Sequence, residues 1–189
     1  MSPTMSPTLP TPDLLFGLPE MSKFDHWYPG QDKAFSGTMD WLSSDKRFLG
    51  LSLPTGAGKS AIISLMAAVS GRRTVILTAT KGLQAQYTND FGSIMTDIRG
   101  QNSFQCLMSD GDLITADDGP CHQGFPCQYK GSECPYYNRL EKALRSQIVV
   151  TNYAYFLVQN RYSTGLGKFD IIAMDESHLA LSALESMLS

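Results

Sequence analysis

A glycine-rich turn constrains the fold of this chain more than any other sequence feature. The turn reads LPTGAGKS over residues 53–60, and it separates an apolar run at 47–53 from the segment SAIISLMAAVS. Glycines allow backbone N–H groups to point at phosphate oxygens, and the lysine and serine can reach the terminal phosphates and Mg²⁺. Such a turn is expected between a strand and a helix of an α/β domain.

Further apolar runs follow this turn at strand-like lengths. They occupy 73–79, 147–151 and 169–174. Helices are predicted at 60–70, where Gly71 ends the periodic pattern, and at 82–94. Strands that read as continuous apolar runs and alternate with helices are typical of a parallel sheet covered on both faces. The prediction is therefore an α/β fold whose first strand is the run at 47–53.

The last apolar run ends in two carboxylates, Asp175 and Glu176. Side chains at the carboxyl ends of parallel strands face the ligand crevice of nucleotide-binding sheets. We expect Asp175 to bind Mg²⁺, directly or through water, and Glu176 to orient and deprotonate the attacking water. Together with Lys59, these are the predicted catalytic residues.

All four cysteines fall in a part of the chain that is rich in loop signals. They are Cys106, Cys121, Cys127 and Cys134. Residues 100–131 show almost no apolar periodicity, and a loop of that length in a compact domain needs something to organise it. Four thiolates can hold zinc or an iron–sulfur cluster, and the spacing does not separate the two. His122 is a substitute ligand in this interpretation, and four unrelated thiols are its alternative.

The N-terminus and the overall composition exclude several classes of protein. The opening MSPTMSPTLPTP repeats a proline-containing tetrapeptide, so a disordered tail is predicted over residues 1–20. The formal net charge of -3 excludes a generally basic nucleic-acid coat but allows a local basic track. No apolar run approaches the roughly 20 residues of a membrane span, and no secretory signal precedes the domain. The chain is expected to be cytoplasmic, with no membrane partner.

The order of these motifs resembles that of superfamily 2 helicases of the iron–sulfur XPD/DinG type. YPGQ at 28–31 resembles the upstream glutamine motif, and TKGLQAQ at 80–86 resembles the motif that touches the backbone of single-stranded DNA. GQNSFQC at 100–106 is similar to the segment before the first cluster cysteine, and DESH at 175–178 to a DEAH box. The resemblance covers residues 28–178 and departs at Leu53, where the strict phosphate-loop pattern has glycine.

The resemblance implies an ATP-dependent DNA helicase that moves 5′ to 3′ on single-stranded DNA or at a DNA fork. It implies a first RecA-like lobe at 21–189, with an insertion at about 100–145 in which the four cysteines hold a [4Fe–4S] cluster instead of zinc. The predicted contacts with ATP–Mg²⁺ are Gln31, Pro54, Thr55, Gly56, Ala57, Gly58, Lys59, Ser60, Asp175 and His178. The predicted DNA contacts are Thr80, Lys81, Gln86 and Arg99, with Lys130 and, as stacking platforms or as packing around the cluster, Tyr129, Tyr136 and Tyr137.

Helicases of this family work with two lobes, and the second supplies an arginine that stabilises transition-state charge. No second lobe follows His178 in this sequence, so we expect an incomplete fold that is inactive as a helicase without a partner lobe. Two alternatives remain open from the sequence. One is a module that binds nucleotide and single-stranded DNA without hydrolysis, and the other is a zinc-stabilised interaction fragment.

Overall fold

The computed structural model describes residues 9–108, 114–182 and 185. They divide into two units, Met1–Arg72 and Arg73–Ser189. Residues 1–8 of the predicted tail lie outside the described residues. No helix in the described ranges has both the length and the apolar composition that a bilayer span requires.

The first unit is built from helices. α1 spans Pro12–Phe16, a 3₁₀ helix spans Pro19–Phe24, α2 spans Gln31–Leu42 and α3 spans Lys59–Ser70. α3 contacts both α1 and α2. As predicted, it ends at Gly71, whose φ of 63° is the left-handed conformation that terminates helices.

The structure differs from the predicted tail over residues 12–20, which hold α1 and the start of the 3₁₀ helix. The side chain of Phe16 is buried, and its ring centroid lies 5.7 Å from that of Phe24. Trp27 Nε1 donates a hydrogen bond to the carbonyl of Pro10 at 3.0 Å. A buried aromatic ring and this anchored carbonyl give the segment tertiary contacts, which composition alone does not reveal.

The predicted strand at 47–53 is wrong. The described part of the first unit contains no strand, and the side chain of Phe48 is 85% exposed. A strand is stabilised by a hydrogen-bonded neighbour and by burial of its apolar side chains. This run has neither, so an apolar composition was not sufficient to make it a strand.

The second unit contains a parallel sheet, which confirms the predicted α/β class. Its strands are β1 at Thr74–Thr78, β2 at Thr96–Asp97, β3 at Ile148–Asn152 and β4 at Ile171–Met174. Their order is β2-β3-β1-β4, and all neighbours run parallel. Every residue of β1 is buried between β3 and β4, which explains its continuous apolar sequence.

Helices accompany the sheet, and a 3₁₀ helix at Ser177–Leu179 follows β4. α4 spans Lys81–Phe91, α5 spans Pro135–Arg145 and α6 spans Tyr153–Tyr162. α4 contacts β1, β2 and β3, whereas α5 contacts β2. The described residues between β2 and α5 form only a short 3₁₀ turn, Gln101–Ser103, and one antiparallel bridge between Gln105 and Thr115. The cysteine-rich region is therefore poor in regular structure, as predicted, until α5 begins directly after Cys134.

Candidate nucleotide and nucleic-acid sites

The phosphate loop of the first unit, residues 53–60, leads directly into α3. Gly56 and Gly58 have φ angles of 80° and 71°, the left-handed conformation that glycine adopts without steric cost. No side chain caps the N-terminus of α3. The first N–H groups of a helix and the positive end of its dipole favour a bound phosphate. The glycine conformations and the uncapped helix are features that a phosphate-binding loop uses, and binding itself stays a prediction.

Lys59 points back toward the start of this loop. Its Nζ donates to the carbonyl oxygen of Leu53 at 3.3 Å. Lys59 contacts the backbone carbonyl of Leu53 and not its side chain. Leucine therefore does not disturb this contact at the position where the strict phosphate-loop pattern has glycine. A phosphate that binds in the loop would compete with this carbonyl for the lysine.

Gln31 braces the loop from α2. Its buried amide Nε2 donates to the carbonyls of Ala57 at 2.8 Å and Gly58 at 3.4 Å. Its Oε1 accepts from the backbone N–H of Tyr28 at 2.9 Å. A Cβ atom at position 58 would overlap Gln31 Nε2. The structure thus joins the glutamine motif to the phosphate loop, while the reading of adenine by Gln31 stays a prediction.

The acidic box follows β4 in the second unit. Glu176 has φ 51° and ψ 47°, and no other non-glycine residue in the described ranges has a positive φ. The left-handed region costs an ordinary residue roughly 1–2 kcal/mol, and such outliers cluster at functional sites. The chain therefore turns sharply directly after Asp175.

Asp175 is held at four points. Its Oδ2 accepts from the hydroxyl of Tyr87 at 3.0 Å, and its Oδ1 accepts from the backbone N–H of Glu176 at 3.0 Å. Its own N–H donates to Leu77 O at 2.9 Å, and its carbonyl accepts from the hydroxyl of Tyr153 at 3.0 Å. The position and the rotamer of this carboxylate are therefore both fixed.

The two tyrosines donate to Asp175 because their phenols stay protonated. Burial, and then the charge of Asp175, raise the pKa of Tyr87 well above its ordinary value. The same two causes raise the pKa of Tyr153 to about 12. Both hydroxyls are therefore neutral donors across the physiological range.

The other members of the acidic box are more accessible. The side chain of Glu176 is 36% exposed, and its Oε2 lies 3.4 Å from His178 Nδ1. His178 is 69% exposed. A carboxylate open to solvent is suited to accept a proton from water, whereas His178 makes only this one contact with the box.

The four cysteines are all described, and none forms a disulfide. Cys106 and Cys134 are buried, whereas Cys121 and Cys127 are partly exposed. Burial raises the pKa of Cys121, and repulsion from the other three cysteines raises it further. The chain crosses the thiol of Cys106 at Gly119, where a Cβ would lie 2.9 Å from the sulfur. In the described ranges, no group of three or more His, Cys, Asp or Glu is arranged to hold a metal ion, so a thiolate-bound centre on these four cysteines stays a prediction.

The tyrosines of this region pack instead of forming an open platform. Tyr136 is buried, and its hydroxyl lies 3.1 Å from that of Tyr155. Tyr129 and Tyr137 pack against the same apolar cluster. Lys130 Nζ lies 4.8 Å from the ring centroid of Tyr137. For Tyr136, burial argues against an open stacking platform, and its packing around a cluster stays a prediction.

Arg99 lies in a cleft of about 470 Å³ beside β2. Asp97 accepts from Arg99 Nε at 3.1 Å and from the guanidinium of Arg139. One carboxylate thus serves two guanidinium groups, and Lys142 adds a third cation, so the lining carries a positive surplus. The cleft is lined by Asp97, Arg99, Ser103, Phe104, Pro135, Asn138, Arg139 and Lys142.

The predicted DNA contacts on α4 are separated along the helix. Thr80 caps α4, since its Oγ1 accepts from the N–H of Leu83 at 3.2 Å. Lys81 Nζ donates to Asn102 Oδ1 at 3.4 Å, next to the cleft-lining Ser103. Gln86 is exposed further along α4. The structure therefore brings Lys81 toward the Arg99 cleft but does not bring Gln86 to it.

Three residues of these sites were missed by sequence reasoning. Tyr87 and Tyr153 hold Asp175 from positions 88 and 22 residues away, and Arg139 belongs to the unpredicted helix α5. The only available signal was the apolar spacing of aromatic residues, which also fits an ordinary core position.

Comparisons with known proteins support the helicase interpretation. The profile of the family described as "Type III restriction enzyme, res subunit" matches residues 25–187. No match was found among curated proteins. The family profile does not distinguish the XPD/DinG iron–sulfur type, which stays a prediction. Because the match covers most of the chain, the chain belongs to this family, whose domain is the first RecA-like lobe of superfamily 2 helicases and is an ATP-dependent, nucleic-acid-binding motor lobe.

Proposed function

We propose that this protein is the first motor lobe of a DNA helicase that couples ATP hydrolysis to 5′-to-3′ movement on single-stranded DNA. The observation that carries the proposal is the phosphate loop, with two left-handed glycines before an uncapped twelve-residue helix. Because the chain belongs to a helicase family, the proposed role of this loop is to bind the ATP that drives movement. Direction of movement rests on the resemblance to the XPD/DinG type alone.

The proposed work of each residue in ATP hydrolysis follows from its chemistry. Backbone N–H groups of the loop would bind the phosphates, and Lys59 would leave the carbonyl of Leu53 for the terminal phosphates. Ser60 and Asp175 would each serve as a ligand of Mg²⁺, which when bound would supply positive charge against the charge that develops on the phosphates. Glu176, partly exposed and fixed by its backbone conformation, orients the attacking water and takes its proton. A second lobe would supply the arginine that completes the site.

We propose that the Arg99 cleft and the N-terminus of α4 bind the phosphate backbone of DNA. The positive surplus of the cleft supports this, because cationic side chains in a narrow track dominate affinity for phosphates. Lys81 extends the track from α4 through Asn102. The formal net charge of -3 does not argue against DNA binding, since only the local charge of the cleft and of the start of α4 is in contact with the phosphates.

Changing Arg99 to Ala tests the DNA contact. The affinity for an oligodeoxythymidine should fall, and the slope of log affinity against log salt should decrease by about 1. Arg161 is the matched control, an exposed arginine on α6 whose guanidinium lies 5.2 Å from the ring centroid of Tyr162. An unchanged salt slope in Arg99→Ala would remove Arg99 from the interface.

We propose that Cys106, Cys121, Cys127 and Cys134 hold a [4Fe–4S] cluster. Four cysteines that lie close enough to raise the pKa of Cys121, and two of which are buried, are the kind of thiolate donor set that such a cluster uses. Such a centre would tie the start of the loop-rich region to Cys134, the residue directly before α5, and would help a segment with little regular structure to fold. Anaerobically purified protein should show broad visible absorption, and Cys106→Ser should lose it. Colourless protein that contains zinc would show that the four cysteines bind zinc and not an iron–sulfur cluster.

The ATPase assignment is tested by ATP hydrolysis in the presence of single-stranded DNA. Lys59→Ala should lose activity, whereas Lys46→Ala, at an exposed position outside the loop, should retain it. Equal activity of wild type and Lys59→Ala would refute the assignment. Binding of ATP by wild type without hydrolysis, with or without an added second lobe, would instead identify a nucleotide-binding module.

A further inference from the structure

Helix α4 presents two buried polar side chains on one face, Gln84 and Tyr87. Gln84 Nε2 donates to the carbonyls of Ile98, directly after β2, at 2.8 Å and of Val150, within β3, at 3.3 Å. Tyr87 is 1% exposed, and its hydroxyl donates to Asp175 Oδ2 at 3.0 Å. One face of α4 is therefore hydrogen-bonded both to the backbone of the sheet and to the acidic box.

The hydroxyl of Tyr87 is not required for packing. Phenylalanine would fill the same volume, and Phe91, one turn later on the same face, is such a residue. A buried hydroxyl costs free energy unless it is hydrogen-bonded, and this one donates to the carboxylate of Asp175. The specific contribution of the hydroxyl is thus to the carboxylate.

Tyr87 also determines how Asp175 can turn. Within the described ranges, Tyr87 is the one side chain that donates to this carboxylate, and the other donor is the adjacent N–H of Glu176. Each oxygen retains a lone pair for a metal ion or its water. Without the hydroxyl, the carboxylate would be held at one oxygen only and would be free to rotate.

We propose that Tyr87 is a positioning residue through which α4 sets the Mg²⁺ ligand Asp175. The inference rests on the proposed function, in which Asp175 binds Mg²⁺ and the N-terminus of α4, at Thr80 and Lys81, contacts DNA. If DNA displaces α4, the hydrogen bond from Tyr87 carries the displacement to the orientation of Asp175. By linkage, Mg²⁺–nucleotide binding changes the affinity for DNA by the same factor.

The experiment measures how binding of a fluorescent ATP analogue depends on Mg²⁺ in wild type and in Tyr87→Phe. The half-saturating Mg²⁺ concentration should rise about tenfold, because a hydrogen bond to a charged group is lost, while binding in EDTA should not change. Tyr155→Phe is the matched control, since it removes a buried hydroxyl whose partner is Tyr136. The half-saturating Mg²⁺ concentration of Tyr155→Phe should equal that of wild type.

Two outcomes separate this inference from the proposed function. If wild type shows no Mg²⁺-dependent nucleotide binding, both fall. If wild type binds nucleotide in a Mg²⁺-dependent way and Tyr87→Phe has the same half-saturating Mg²⁺ concentration as Tyr155→Phe, the inference alone is overturned.

A double variant tests whether Tyr87 acts through Asp175. In an Asp175→Asn background, Tyr87→Phe should have no further effect on the Mg²⁺ dependence of nucleotide binding. An undiminished effect would show that Tyr87 does not act through Asp175.

A second measurement does not depend on the folding of Tyr87→Phe. With 3-fluorotyrosine at position 87, which keeps the hydroxyl, the ¹⁹F resonance should shift when Mg²⁺–ADP is added, and the same label at 155 should not. An unshifted signal at 87 overturns the proposal.

A third measurement tests the link between α4 and Asp175. Addition of an oligodeoxythymidine should change the half-saturating Mg²⁺ concentration of wild type but not that of Tyr87→Phe. If wild type does not change, or if both proteins change equally, the link to α4 is overturned.

Discussion

The phosphate loop and the acidic box achieve their conformations in opposite ways. The loop depends on its own backbone, with glycines in left-handed conformations and one brace from Gln31, 26 residues away in sequence. The acidic box depends on side chains from two other helices, and Tyr87 is 88 residues from Asp175. A site fixed by its own glycines is sensitive to any added atom, whereas a site fixed by distant hydroxyls loses orientation gradually as each is removed.

Gly58→Ala should have the largest effect, because it adds an atom where the loop has no space. The new methyl group would overlap Gln31 Nε2, and φ of 71° is unfavourable for alanine. We expect nucleotide affinity to fall by about 100-fold or more, as both strain and a displaced brace act on the loop. Affinity is measured with a fluorescent ATP analogue.

Gly37→Ala is the control for this substitution. Gly37 lies inside α2, and a Cβ added there would meet no neighbouring atom within 4 Å, so alanine should stabilise the protein by roughly 0.5–1 kcal/mol. If Gly58→Ala binds nucleotide as well as Gly37→Ala, the loop is not held by its backbone in the way described.

Gln31→Ala should have an intermediate effect, because the glycines remain while the brace is lost. Two amide donors to the loop carbonyls of Ala57 and Gly58 disappear. We expect nucleotide affinity to fall by about tenfold, and equally for ATP and GTP if the residue acts by bracing the loop. A loss confined to ATP would show instead that Gln31 reads adenine.

Tyr153→Phe should have the smallest effect. It removes the hydrogen bond to the carbonyl of Asp175 but leaves both donors to the carboxylate. The free energy of unfolding should fall by about 1 kcal/mol, with the Mg²⁺ dependence of nucleotide binding nearly unchanged. Urea unfolding measures the free energy of unfolding, and the Mg²⁺ titration measures the Mg²⁺ dependence. If Tyr153→Phe changed the Mg²⁺ dependence as much as Tyr87→Phe does, the hydrogen bond to the backbone of Asp175 would matter as much for Mg²⁺ binding as the hydrogen bond to its carboxylate.

The same contrast explains what the sequence could predict. The loop at 53–60, the strands around 74–78, 148–152 and 171–174, and the helices α3 and α4 were predictable because local patterns of glycine and apolar residues specify them. The place of Asp175 at the end of a strand was predictable for the same reason. The partners of Asp175 were not, because a buried tyrosine reads as an ordinary core residue until the fold brings it to the carboxylate.

The wrong or missing elements have related causes. The run at 47–53 is apolar but lacks a neighbouring strand, and β2 has only two residues, too few to make a pattern. α5 was hidden because the polar, cysteine-rich sequence before it masks the start of its helical periodicity. For the two strands, the decisive information is pairing with a distant segment, which no local pattern carries.

The central claim is that residues 53–60 bind the phosphates of ATP, and equilibrium binding of Mg²⁺–ATP by wild type, Lys59→Ala and Lys46→Ala tests it most directly. We predict that wild type and Lys46→Ala bind with the same affinity and that Lys59→Ala binds at least about tenfold more weakly. Equal affinity of Lys59→Ala and wild type would contradict the account.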